Sequence, residues 1–300
     1  MSGKTIKIFF VDGKPNGLSV IELMQRWTGV ALSCPRSEIA KLLKRPEARK
    51  PGVYILTGQD DESRQVAYIG EAENISKRLK KHKANSFDYW DRICFFTQKD
   101  DNLTKAHVQY LEARMIEVAK NSKRSTLINS DSPEAKYKPL PESDIHDMEY
   151  FLEQMQTLLP VLGINLLSPQ PKATVDKTSD PIDKSPIFEI KTKDAHAQAM
   201  VINGEFTVLK DSLIRKNATS SIKSGAERIR NDLLNTGILF EISPTQYKLT
   251  ENYAFNSPSM AAGVVVARST NGRRKWKIEE SGKTFNEWEN DLLDQPESNA

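Results

Sequence analysis

From Pro169 to Pro186 the chain reads PQPKATVDKTSDPIDKSP, four prolines and almost no large apolar residue. Such a stretch cannot join a packed core. Its prolines lack backbone donors, and its polar side chains gain nothing by leaving water. The 300 residues therefore divide into two units, each of which has to close a core of its own. Hydrophobic residues make up 38% of the chain and charged residues 28%, which is globular composition. The expected boundaries are an N-terminal strand–helix extension over 1–50, a main unit over 51–168, a linker over 169–186 and a smaller α+β domain over 187–300.

No apolar run approaches the roughly 20 residues of a membrane span. The opening MSGKTIKIFF lacks the apolar core of a signal peptide. Two cysteines, Cys34 and Cys94, show neither metal nor disulfide spacing, which suggests a reducing compartment. A soluble cytoplasmic protein is expected. A net charge of +3 is too small to name a partner.

Apolar spacing places the elements. Lys4 to Val11 alternates like a strand, and Ser19 to Trp27 and Ser37 to Lys44 read as short helices. Gly52 to Leu56 and Gln65 to Ile69 form a hairpin around a long polar loop. A basic helix over Asn74 to Lys83, a strand over Ile93 to Thr97 and helices over Thr104 to Lys120 and Ser143 to Leu159 follow. Beyond the linker, Asn203-Gly204 marks a hairpin, and helices are expected near Ser224 to Asn235 and Pro258 to Ala267. Asn271-Gly272 turns the chain into RRKWKIEE, and a last helix starts near Thr284. The fold class is α/β in the broad sense, more closely α+β.

Glu112 sits where a carboxylate should not. At about 100° per residue it projects inside the apolar arc of Val108, Leu111, Met115, Ile116 and Ala119. None of its neighbours three and four residues away is cationic, so no ion pair within the helix accounts for it. A buried carboxylate needs a partner or a metal. Glu112 is therefore a candidate metal ligand; a stripe-edge glutamate that reaches water or a distant arginine is the alternative. Arg78 and His82 lie four apart and share a helix face with Ile75 and Leu79, which suggests an anion site turned towards the core. A snorkelling arginine and a packed histidine are the blander readings. Lys77, Lys80, Lys81 and Lys83 read as phosphate-backbone contacts or as a solvated face.

GVY (Gly52 to Tyr54) and YIG (Tyr68 to Gly70) fall on the paired strands, and EAENISKRLKKH follows the second. Here the sequence resembles the GIY-YIG endonuclease family, over roughly Gly52 to Asn129. The resemblance implies a three-stranded antiparallel sheet with flanking helices and one divalent cation, Mg²⁺ or Mn²⁺, on Glu112. It assigns catalytic roles to Tyr54, Tyr68, Arg78, His82, Glu112 and Asn129, and it implies DNA as partner. The first motif departs from the family in reading GVY. Whether Tyr54 takes the proton from water or only orients it stays open. Met1 to Lys50 looks like what precedes such domains in one bacterial subgroup. The C-terminal segment resembles an uncharacterised domain found downstream of them. Arg268, Arg273, Arg274, Lys275 and Lys277 with Trp276 suggest a nucleic-acid contact, or equally a basic hairpin with a buried tryptophan. A metal-dependent DNA endonuclease is the leading reading. The others are an inactive nucleic-acid binding or scaffolding protein on the same fold, and a globular interaction protein.

Overall fold

A computed structural model of the chain describes residues 3–24, 27–61, 65–82, 89–122, 124–129, 139–169 and 185–294. The chain is α+β and splits into two compact units, Met1–Pro169 and Gln170–Ala300. Among the described residues no helix is long and apolar enough to cross a membrane.

In the first unit, strands β1 (Ile6–Phe10), β2 (Ser19–Leu23) and β3 (Gly29–Pro35) run in antiparallel succession. A 3-10 turn at Arg36–Glu38, a short helix α1 (Ile39–Leu42) and a second 3-10 turn at Pro46–Arg49 lead into β4 (Gly52–Gln59) and β5 (Gln65–Ala72). Helix α2 (Ile75–His82), β6 (Trp90–Gln98), α3 (Lys105–Ser122), β7 (Thr126–Leu127) and α4 (Glu142–Leu158) complete it. The expected hairpin of β4 and β5 is present with Tyr54 opposite Gly70 and Leu56 opposite Tyr68. With β6 these strands give the three-stranded sheet that the family resemblance implies. That sheet continues, in the order β1-β2-β3-β6-β4-β5-β7. The N-terminal strands are thus part of the same sheet, through the full-length pairing of β3 with β6.

Strand alternation sorts the side chains into two cores. Val53, Ile55, Ala67 and Ile69 meet Leu111, Met115 and Ile116 of α3 and Phe151 and Leu152 of α4. Tyr54, Leu56, Ile93 and Phe95 face the other way, against Leu42, Ala48, Ile75 and Leu79. Each face of β4 is therefore covered, and the two motif tyrosines point to the face that carries α2.

Ser19 to Trp27 is not helical: Ser19–Leu23 is strand β2. Val20 and Ile21 are β-branched and stiff at χ1, and pairing on both sides with β1 and β3 outweighs a chance three-residue spacing of apolar positions. Strand β3 carries Val30, Leu32 and Cys34 into one core and Ala31 into the other. Buried on both faces, it shows no alternation to read.

The second unit holds strands β8 (Phe188–Lys191), β9 (His196–Ile202), β10 (Glu205–Val208) and β11 (Leu213–Arg215), then α5 (Ser224–Asn235). Strands β12 (Leu239–Ser243), β13 (Gln246–Leu249) and β14 (Tyr253–Phe255) lead to α6 (Pro258–Val266), α7 (Gly272–Lys275), β15 (Lys277–Ile278) and α8 (Phe285–Asp294). Its sheet runs β12-β13-β11-β9-β10-β14, with β8 beside β9 and β15 beside β8. Asn203 and Gly204 both take positive φ (53° and 79°), as a tight hairpin between β9 and β10 requires. Thr284 and Glu287 cap α8 reciprocally, side chain to backbone in each direction. The basic segment after Asn271 is a helical turn, α7, where a hairpin was one expectation.

Candidate functional site

The site is built on the crossing of β4 and β5. Tyr54 is fully buried and Gly70 lies directly across from it. A Cβ on Gly70 would stand 2.5 Å from Cζ and 2.6 Å from Oη of Tyr54. The missing side chain is what lets the Tyr54 ring lie across β5. Tyr68, on the same face, stacks near it with ring centroids 6.0 Å apart and planes 25° apart.

Arg78 reaches this pair from α2. Asn74 sets the start of that helix, accepting the Lys77 N–H on its side chain (3.0 Å) and the Arg78 N–H on its carbonyl (3.0 Å). Ser76 ties the helix down by donating to the Leu43 carbonyl at 2.9 Å. The Arg78 guanidinium hydrogen-bonds the phenol oxygens of Tyr54 and Tyr68. Its Nε–H is buried and has no acceptor among the described residues. A cationic donor left open beside two phenols is a place for an oxyanion.

Glu112 on α3 is 8% exposed, the one carboxylate among the buried polar side chains of the described residues. The apolar-arc reading of its position therefore holds. Its charge acts on the Tyr54 phenol, so the two groups belong to one electrostatic neighbourhood. Burial pushes the Tyr54 phenol above its ordinary value, and Tyr68 and Glu112 push the same way. The hydrogen bond and charge of Arg78 pull it back by less. Tyr54 is thus a protonated phenol at neutral pH.

Asn129 is placed differently from the other candidates. Its side-chain oxygen accepts from the Ile69 N–H at 3.3 Å, and its amide donates to the Ile69 carbonyl at 2.6 Å. Strand β7 pairs with β5 in parallel, and the Ile128 N–H continues the ladder to Ala67. The asparagine extends that ladder by one step with its side chain. Its side chain ties the YIG strand to the end of β7.

Lys77 is exposed at the start of α2. His82 ends that helix, but its side chain and those of Lys80 and Lys81 lie outside the described residues, as does Lys83 altogether. In the second unit Arg274 is exposed, Lys275 half-buried, and Arg273 pairs with Glu289 at 2.5 Å. Trp276 corrects an expectation. It is fully buried, donates its indole N–H to the Pro258 carbonyl at 3.0 Å and packs on Phe206. A buried indole has no face to offer a nucleic-acid base, and the apolar contacts of its ring explain why it turned inward.

The role of Gly70 escaped the sequence reading, although the motif contained it. A glycine directly across a hairpin from an aromatic residue is the signal that was there to find. Among the described residues no three His, Cys, Asp or Glu side chains gather. A cation at Glu112 would take that carboxylate together with water and substrate oxygens. Mg²⁺ is commonly held in that way, whereas a structural Zn²⁺ needs four protein ligands.

Residues 50–125 match the family model of the GIY-YIG catalytic domain, and residues 188–289 match a domain of unknown function, DUF4357. Tyr54, Tyr68, Arg78 and Glu112 all fall inside the first match, and Asn129 lies just beyond it. No curated protein and no solved structure matches the chain.

Proposed function

With a nuclease-family GIY-YIG domain in its first unit and a DUF4357 domain after it, we propose that the chain is a divalent-metal-dependent endonuclease that hydrolyses phosphodiester bonds in DNA. One observation carries this reading. Tyr54 lies beside Tyr68 and the Arg78 guanidinium, whose Nε–H has no acceptor among the described residues, and the charge of the buried Glu112 acts on the same Tyr54 phenol.

Each group has a distinct task. Arg78 binds a non-bridging oxygen of the scissile phosphate through its guanidinium, where negative charge grows as the attacking water adds to phosphorus. Tyr54, kept protonated by burial, orients that water through its hydroxyl; as the P–O bond to the leaving oxygen breaks, the water's proton passes to solvent and the leaving oxygen takes one up from solvent. Tyr68 shares the Arg78 guanidinium and fixes the Tyr54 ring from one side. Glu112 is the ligand for Mg²⁺ or Mn²⁺, which when bound would offset charge on the phosphate and the leaving oxygen. Lys77, exposed on α2, meets the phosphate backbone of the substrate.

A panel of labelled duplex, branched and single-stranded DNAs with Mg²⁺ tests the proposal. Fragments that appear with Mg²⁺ and vanish with chelator are expected. An intact panel across all DNAs and their RNA counterparts would overturn it and favour a binding protein on a nuclease fold.

A further inference from the structure

The second unit contains a cavity of about 140 Å³ at the place where α5 and α6 both begin. Lys223, Arg268, Ser257, Ser259, Ser269 and Thr270 line it, and no carboxylate does. Neither Lys223 nor Arg268 forms an ion pair with a described residue.

Two of the four hydroxyls already accept a hydrogen bond. Ser257 Oγ accepts from the Met260 N–H and Ser259 Oγ from the Gly272 N–H, both at 3.1 Å. Each keeps its own O–H to give, so these walls can present donors. The first turn of α5 adds little to this, since the Lys223 carbonyl already takes its Ala226 and Glu227 N–H groups, at 2.9 and 3.1 Å. Cationic heads, hydroxyl donors and no acid make a cavity that suits an oxyanion and repels a cation. The neighbouring basic run is a poorer candidate, because Arg273 is held by Glu289 and Trp276 is in the core.

We propose that this cavity binds a phosphate group, supplied by the sugar–phosphate backbone of the nucleic acid that the first unit acts on. The source rests on the nuclease reading; the preference for phosphate does not. The site gives the second unit a grip on backbone without base recognition.

The test uses the full chain in chelator, so that binding is read without cleavage. Affinity for a labelled duplex is measured by fluorescence anisotropy across a salt series, for wild type and for Lys223→Gln/Arg268→Gln. Losing one phosphate contact should make the log–log salt dependence shallower by about 0.9. Lys283→Gln, which removes a lysine paired with Asp291 at a distance along the chain, serves as the charge control and should change the slope by much less. In a parallel arm, inorganic phosphate is titrated and its ³¹P line width followed. Broadening by wild type that the double variant lacks, together with the shallower slope, supports the proposal. Broadening lost with an unchanged DNA slope would assign the cavity to free phosphate and overturn the nucleic-acid source. No change in either arm, with circular dichroism showing both proteins folded, would overturn the site. A chain that binds through this cavity yet never cuts would sink the nuclease reading alone.

Discussion

Gly70→Ala separates local propensity from packing, because the two predict opposite signs. A glycine inside a strand costs about 0.5–1 kcal/mol relative to alanine, so propensity alone makes the substitution stabilising. Gly70 has no positive φ that would resist a side chain. The structure says otherwise, since the new Cβ would meet Tyr54 at 2.5 Å (Cζ), 2.6 Å (Oη) and 2.9 Å (Cε1). Ordinary carbon contacts lie at about 3.5–4.0 Å, so the ring has to retreat by about 1 Å. It is fully buried and flanked by Tyr68, and has no slack to take up that movement. Overpacking of this kind costs about 1–3 kcal/mol. A shift of about 1 Å at a catalytic phenol also costs about 10²-fold in rate. Urea unfolding should show the loss of stability, and single-turnover cleavage the loss of rate. In a Tyr54→Leu background the same change should cost much less stability, a coupling that a double-mutant cycle reads directly. A Gly70→Ala protein as stable as wild type and as fast would refute the packing argument.

Arg78→Ala should reduce cleavage by about 10²-fold or more, whereas Lys77→Ala should mainly weaken binding and its salt dependence; equal small effects on turnover would reduce α2 to an electrostatic surface. Asn129→Ala removes both hydrogen bonds to Ile69 and should destabilise the first unit by about 1–3 kcal/mol in urea, with a smaller loss of rate than Arg78→Ala; the reverse ranking would make Asn129 a direct participant. Stability should also fall on the alkaline side. Burial pushes the Cys34 thiol up to about 12 and raises Cys94 as well, so above a pH of about 9 the unfolded chain loses thiol protons that the folded chain keeps. Folding is then opposed increasingly as pH rises through that window, and is unaffected by these thiols below it. Urea midpoints between about pH 8 and 11 should decline less steeply for Cys34→Ala/Cys94→Ala than for wild type; parallel declines would exclude the thiols as the cause.

What was legible of the candidate site rests on local signals. Glu112 stood out as a charge inside an apolar arc, and the structure buries it. Arg78 shared a face with Ile75 and Leu79, both of which are in the core. The Asn203-Gly204 turn and helices α2 to α6 follow from spacing and turn chemistry in the same way, while the expected linker falls mostly outside the described residues. What escaped depends on contacts between distant segments. Strand β2 was mistaken for a helix because only its pairing with β1 and β3 decides the matter. That β3 extends the sheet from β6 is a long-range pairing with no sequence period to announce it. The grip of Asn129 on Ile69 spans 60 residues, and Trp276 finds its core partner Phe206 across a still longer stretch.

The central claim is that Glu112 provides the metal site of a nuclease assembled with Tyr54, Tyr68 and Arg78. The most direct measurement is DNA cleavage by wild type and Glu112→Gln across a Mg²⁺ titration, with thermal melts of both proteins. Wild type should cut with saturable Mg²⁺ dependence. The variant should not cut at any concentration, and should melt at the same or a higher temperature, since a buried charge has been removed. Wild-type rates in the variant at limiting Mg²⁺ would contradict the account.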